Sequence, residues 1–167
     1  MKKIFKSKKL WIGLITLLVV IELISLLTVL IAPKPSISPT IAKKLTSTLF
    51  IPGGETSVDR TSAKYDSPNS LLSYKATYAN VSLTVSEQPS PSTFSDVPAS
   101  YDKFTADLGQ YEQFDSRLGS VHLVRLVKEN NHQVAVMNAQ GTLMFVKPDK
   151  ELTTDQWKIF FKNLVTK

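Results

Sequence analysis

Leu72–Ser86 reads LSYKATYANVSLTVS. Leu72, Tyr74, Ala76 and Tyr78 alternate with Ser73, Lys75 and Thr77. After Ala79-Asn80, Val81, Leu83 and Val85 alternate with Ser82, Thr84 and Ser86. A period of two, carried by β-branched and aromatic residues, predicts two antiparallel strands sharing one apolar face. Asn80 suits the turn between them, because asparagine tolerates the left-handed backbone of a tight hairpin.

Upstream, Leu49-Phe50-Ile51 before Pro52-Gly53-Gly54 predicts a short strand stopped by a turn. Residues 55–66 are weakly patterned, with room for one strand. Ile41, Leu45 and Leu49, spaced by four, allow a short amphipathic helix, with a strand as the alternative. Downstream, Gln88–Pro98 (QPSPSTFSDVP) reads as a loop, with three prolines. Ser100 is placed to cap a helix over Tyr101–Leu108, stopped by Gly109, with Tyr101, Phe104 and Leu108 on one face. A meander follows: strands over Tyr111–Leu118, Val121–Lys128, Gln133–Asn138 and Thr142–Lys147. Gly119, Asn130-Asn131 and Gln140-Gly141 supply its turns, and Pro148 closes it.

Thr153-x-x-Gln156 is a capping-box pattern, and Leu152 and Trp157 are spaced for a hydrophobic staple. Trp157, Phe160, Phe161, Leu164 and Val165 then recur at helical spacing, with Lys158 and Lys162 opposite. The expected fold class is α+β: an antiparallel sheet packed by a C-terminal amphipathic helix.

This order of elements resembles the PsbP-like fold of extrinsic photosystem proteins and bacterial lipoprotein-type domains. The segments that carry the resemblance are Ser70–Glu87, Tyr101–Leu108, Gly119–Pro148 and Asp155–Leu164, within residues 50–165. The tail DQWKIFFKNL is similar to the ends of single-pass bacterial membrane proteins. The resemblance implies a topology; no binding motif of that family is matched, so it implies no site residue.

Ahead of this domain stands Leu10–Ala32, LWIGLITLLVVIELISLLTVLIA, whose one ionisable residue is Glu22. As a helix it would span about 34 Å, enough for a hydrocarbon core of about 30 Å. Lys2, Lys3, Lys6, Lys8 and Lys9 precede it, whereas Lys34 stands alone beyond it until Lys43. That bias predicts a cytoplasmic N-terminus and an extracytoplasmic C-terminal domain. A cleaved signal peptide is the competing reading, but its apolar core runs about 7–15 residues and ends at a small-x-small site. Here the run is longer, Leu30 is bulky where a small residue is needed, and Pro33 follows. The expected organisation is a basic cytoplasmic tail (1–9), a transmembrane signal anchor (10–32), a Pro/Ser-rich spacer (33–44) and an α+β domain (45–167).

Glu22 sits near the middle of the span, where a carboxylate costs on the order of 2.5–3.5 kcal/mol on insertion scales. With Ser25 one turn on, it is a candidate contact to another membrane helix. The plainer alternative is a single tolerated acid in a very apolar span.

The formal charge of +6 comes mostly from the five leading lysines; beyond the span it is +2. No basic stripe with interleaved aromatics supports nucleic-acid binding. No cysteine is present, which excludes a lipid-modified cysteine, a thiol nucleophile and disulfides. No G-x-S-x-G or metal-ligand spacing occurs. His122 and His132 read as one partly buried and one solvated histidine. Asp102, Asp107, Glu112 and Asp115 read as a solvated acidic cluster. Arg125 alternates with Val121, Leu123 and Val127. If that face is buried, Arg125 needs a carboxylate or a ligand anion; the other reading makes the face of His122, Val124, Leu126 and Lys128 the core side. No catalytic, cofactor or metal residue is expected. The leading expectation is a non-enzymatic protein-interaction or envelope accessory module, partnered by the bilayer through 10–32 and by another envelope protein. The alternative is a small-ligand-binding module with Arg125 near the ligand; an enzyme with an unrecognised site comes third.

Overall fold

A computed structural model describes Ile37, residues 47–127 and residues 130–167, all in one compact unit. The tail, the 10–32 span with Glu22 and Ser25, most of the spacer, Ile41, Leu45 and Lys128 lie outside the described residues. Among those described, no helix is long and apolar enough to cross a membrane.

The described residues form a small domain, a large antiparallel sheet with few helices. Its elements are β1 (Phe50–Pro52), β2 (Ser57–Asp66), β3 (Leu71–Tyr78), β4 (Val81–Pro89), α1 (Ser92–Asp96), α2 (Pro98–Asp107), β5 (Gln110–Asp115), β6 (Ser120–Leu126), β7 (His132–Ala139), β8 (Thr142–Pro148), α3 (Thr154–Lys162) and β9 (Leu164–Thr166). Seven strands form one sheet in the order β2-β3-β4-β8-β7-β6-β5, and β1 pairs with β9 in a separate ribbon. Local turn chemistry explains the hairpins. Ala79-Asn80 and Gln140-Gly141 both take two consecutive positive φ values, the geometry of a two-residue turn between twisted strands. Asn130 and Asn131 do the same within the longer β6–β7 connection.

Both faces of the sheet carry a core. On one, Leu72, Tyr74, Leu83, Val85, Val121, Leu123, Ala135, Met137 and Val146 pack with Trp157, Phe160 and Phe161 of α3 and with Phe50 and Ile51 of β1. On the other, Val124, Val134, Val136 and Leu143 pack with Phe94 of α1 and Tyr101 and Phe104 of α2. Alternation along β6 therefore has no solvent face to report: Val121, His122, Leu123 and Val124 are all buried.

α3 has the capping box the sequence predicts: the Thr153 side chain accepts from Gln156 N–H, and the Gln156 side chain accepts from Thr153 N–H. Leu152 and Trp157 are both buried in the same core. The helix ends earlier than the apolar stripe suggests. Leu164 and Val165 belong to β9, and Val165 is exposed, because pairing with β1 takes over after Asn163.

Other expectations need correction. The Gln88–Pro98 loop contains the last residues of β4 and the whole of α1. Ser100 is no cap; α2 starts at Pro98 with Val97 as its cap residue and no side-chain capping bond. Proline suits that first helical position because its missing N–H would be unpaired there anyway. β5 stops at Asp115, where the Ser116 hydroxyl and backbone N–H both close a turn onto Gly119 O. At Leu49 the strand alternative holds over the helix: its N–H and C=O pair with Lys167, just ahead of β1. Ile37, inside the proline-rich spacer, is buried in the main core.

Candidate functional site

Helix α2 leaves the sheet through Gly109, whose φ of +83° favours glycine and where a Cβ would lie 2.7 Å from Arg125 O. A bulge follows between Gln110 and Glu112. It sends the Gln110 side chain toward α2, while Tyr111 and Glu112 both reach the α3 side, to Gln133 and Thr154 respectively. Bulges re-aim side chains in this way.

On the α2 side this opens a cavity of about 310 Å³. Gln113, Ser120, His122 and Asn138 of β5–β7 line it from the sheet, and Phe94, Tyr101 and Asp102 from the helices. The cavity lies where the apolar layer under α1 and α2 gives way to polar strand positions.

His122 is 2 % exposed. Gln110 Oε1 sits 2.8 Å from His122 Nδ1 and accepts from the Thr105 hydroxyl at 2.8 Å. With the amide presented this way, His122 carries its proton on Nδ1 and keeps a lone pair on Nε2. Burial lowers the histidine's pKa, and the nearby Asp102 opposes this only in part. The ring is therefore a neutral acceptor. Tyr101 meets it edge-on, with centroids 4.9 Å apart, and donates its hydroxyl to Val136 O at 3.3 Å. Burial pushes the Tyr101 phenol up, so it stays protonated. Ser120 donates to Asp115 Oδ1 at 2.6 Å.

The cavity combines two acceptors, imidazole Nε2 and the Asp102 carboxylate, with two side-chain amides that can donate or accept, beside the rings of Phe94 and Tyr101. No lysine or arginine lines it.

A second cavity, of about 350 Å³, has the opposite character. Lys75, Ser82, Thr84, His132, Lys147, Pro148 and Asp149 line it. Lys75, Thr84 and Lys147 are register neighbours on β3, β4 and β8. Asp149 accepts from Ser82 N–H, and His132 bonds to Pro148 O, so this histidine is half-buried and engaged, not a solvated turn residue.

Arg125 faces α3, across the sheet from the His122 cavity. Both of its terminal nitrogens bond to Glu151, the second at 3.1 Å, and its guanidinium lies 4.9 Å from the Tyr111 ring centroid. The carboxylate it needs comes from the chain itself. The acids Asp102, Asp107, Glu112 and Asp115 do not converge. Glu112 accepts from Thr154 and Asp115 from Ser120, and among the described residues no group of three or more metal-ligating side chains gathers.

Among the buried polar residues that sequence reasoning missed, Gln133 and Glu87 make the most side-chain bonds into the α3-side core. Gln133 accepts from Trp157 Nε1 at 3.1 Å and from Leu152 N–H at 2.9 Å, and donates to Tyr111 and Leu152 O. Glu87 is 0 % exposed and continues the buried row Val81, Leu83, Val85. That row was the available signal.

Comparison with protein-family models, with curated proteins and with solved structures finds no match for this chain.

Proposed function

We propose that this chain is a single-pass, membrane-tethered extracytoplasmic module that works by binding, and that its domain takes up a small hydrogen-bond-donating ligand in the His122 cavity. The apolar run at 10–32 and the lysines before it support the tether and its orientation. The His122 and Asp102 acceptors, with no cation lining the cavity, support the ligand class. A neutral imidazole lone pair and a carboxylate beside two aromatic rings suit an amine or amidinium on a flat apolar body. Binding is favoured over catalysis because both hydroxyls that line the cavity give their protons away from it, Ser120 to Asp115 and Tyr101 to Val136 O, and His122 is oriented by an amide instead of a carboxylate.

The protein-interaction reading draws on Glu22 and Ser25 in the span. Within the domain, the large exposed apolar residues Val97, Tyr111, Val127, Ile159 and Val165 come from five different segments and offer it less support. The PsbP-like resemblance contributes the order of elements only.

The test uses two probes of the same shape and opposite charge. Titration of the full-length chain in detergent should show saturable benzamidine binding, weakened at least tenfold in Asp102→Asn, and none for benzoate. Equal binding of both probes, or of neither, contradicts the ligand class.

A further inference from the structure

β1 is a three-residue strand with two occupied edges. Toward β9, Leu49 exchanges both backbone bonds with Lys167, and Gly53 N–H donates to Asn163 O. Phe50 lies between these pairs, so its N–H and C=O point away from β9. There they meet side chains where another strand would stand. Phe50 N–H donates to Glu87 Oε2 at 2.9 Å, and Phe50 O is 2.9 Å from the Tyr74 hydroxyl. Tyr74 is also 3.0 Å from Glu87 Oε1. A phenol has one proton, and a carbonyl and a carboxylate oxygen both need one here. The ring of bonds closes only if the carboxyl is protonated: Glu87 donates to Tyr74, Tyr74 to Phe50 O, and Phe50 N–H to Glu87.

We propose that Glu87 is a neutral carboxylic acid that latches β1 to the sheet, and that its deprotonation releases the β1–β9 ribbon. The ribbon joins the first strand among the described residues to residues 164–166. The latch depends neither on the tether reading nor on the His122 cavity.

The surroundings agree. Register partners of Glu87 are Leu72 on β3 and Met144 on β8, both apolar and buried. Among the described residues, Tyr74 is the one titratable side chain that acts on it, β1 offers only backbone, and no charged group contributes. Burial pushes the Glu87 carboxyl up to about 8, against smaller opposing effects of Phe50 N–H and Tyr74. Tyr74 itself is raised by burial and then by Glu87, so it does not ionise first.

The sign follows. Once the ribbon opens and Glu87 is solvated, it regains an ordinary carboxylate pKa near 4.5. The closed form therefore binds one more proton than the open form between those values. Closure is firmest below about 4.5 and weakens about tenfold per pH unit as pH rises toward 8.

Hydrogen exchange of the full-length chain in detergent, corrected for intrinsic exchange rates, reads this directly. Protection at residues 49–51 and 164–167 should fall about tenfold per pH unit from 5 to 8. In Glu87→Gln, whose amide donates to Tyr74 and accepts from Phe50 without titrating, protection should be flat with pH. A flat wild-type profile, or the same slope in the variant, overturns the proposal. A carboxyl-carbon NMR titration of wild type gives a second reading that needs no variant, and a Glu87 midpoint in the ordinary carboxylate range overturns it equally.

Discussion

At the scale of single residues, acids in apolar surroundings carry the most information. Glu87 was legible in part. Val81, Leu83 and Val85 set a buried row, and its next member is Glu87, yet a strand read by hydrophobicity stops at Ser86. Its partners lie on strands 13 and 37 residues away, which no local pattern reveals. Gln133 is hidden for the same reason: its bonds run to Trp157 and Leu152. Arg125 was legible as needing a carboxylate but not as having Glu151, a partner 26 residues on. That pair is surface-exposed, with side chains 37 % and 59 % accessible, so its contribution to stability is small. Glu22 poses the same question in the span. If it contacts another helix, Glu22→Leu should leave membrane insertion intact, since leucine is readily inserted, and should weaken helix–helix association. Cross-linking in membranes measures this; unchanged cross-linking contradicts the contact.

Elements were legible where a short-range signal defines them. The β3–β4 hairpin, the asparagine and glycine turns, and the cap of α3 all depend on residues within a few positions. α1 and the start of α2 were obscured by prolines, which read as loop although Pro98 sits comfortably at a first helical position. β9 was lost because the apolar stripe of α3 continues past the helix end, and only the pairing with β1 converts it to strand. α3 is the best test of packing. Trp157 is fully buried against Phe160 and Phe161, at centroid distances of 6.0 and 6.1 Å, and its indole N–H is bonded to Gln133. Trp157→Ala should destabilise the domain by about 3–5 kcal/mol, through the cavity left and the loss of one of the two bonds to Gln133 Oε1. Urea denaturation of the detergent-solubilised chain would show it as a lowered midpoint; an unchanged midpoint contradicts the docking.

For the whole molecule, local pattern predicts an antiparallel sheet but not its strand order. The joining of β4 to β8, which places Val85 opposite Val146, unites two hairpin systems more than fifty residues apart. That joining creates one face for α3 and another for α1 and α2, and it sets the His122 cavity and Arg125 on opposite sides. Composition speaks more plainly about placement. The domain's modest charge, the lysines ahead of the apolar run and the spacer support a tether with the sheet outside the membrane. The absence of cysteine makes this directly measurable. Ser7→Cys and Ser92→Cys each give the chain one thiol, the first before the span and the second at an exposed position of α1. In intact cells treated with a membrane-impermeant maleimide, Ser92→Cys should label and Ser7→Cys should label only after permeabilisation. Labelling of Ser7→Cys in intact cells, with Ser92→Cys protected, would contradict the tethered extracytoplasmic domain.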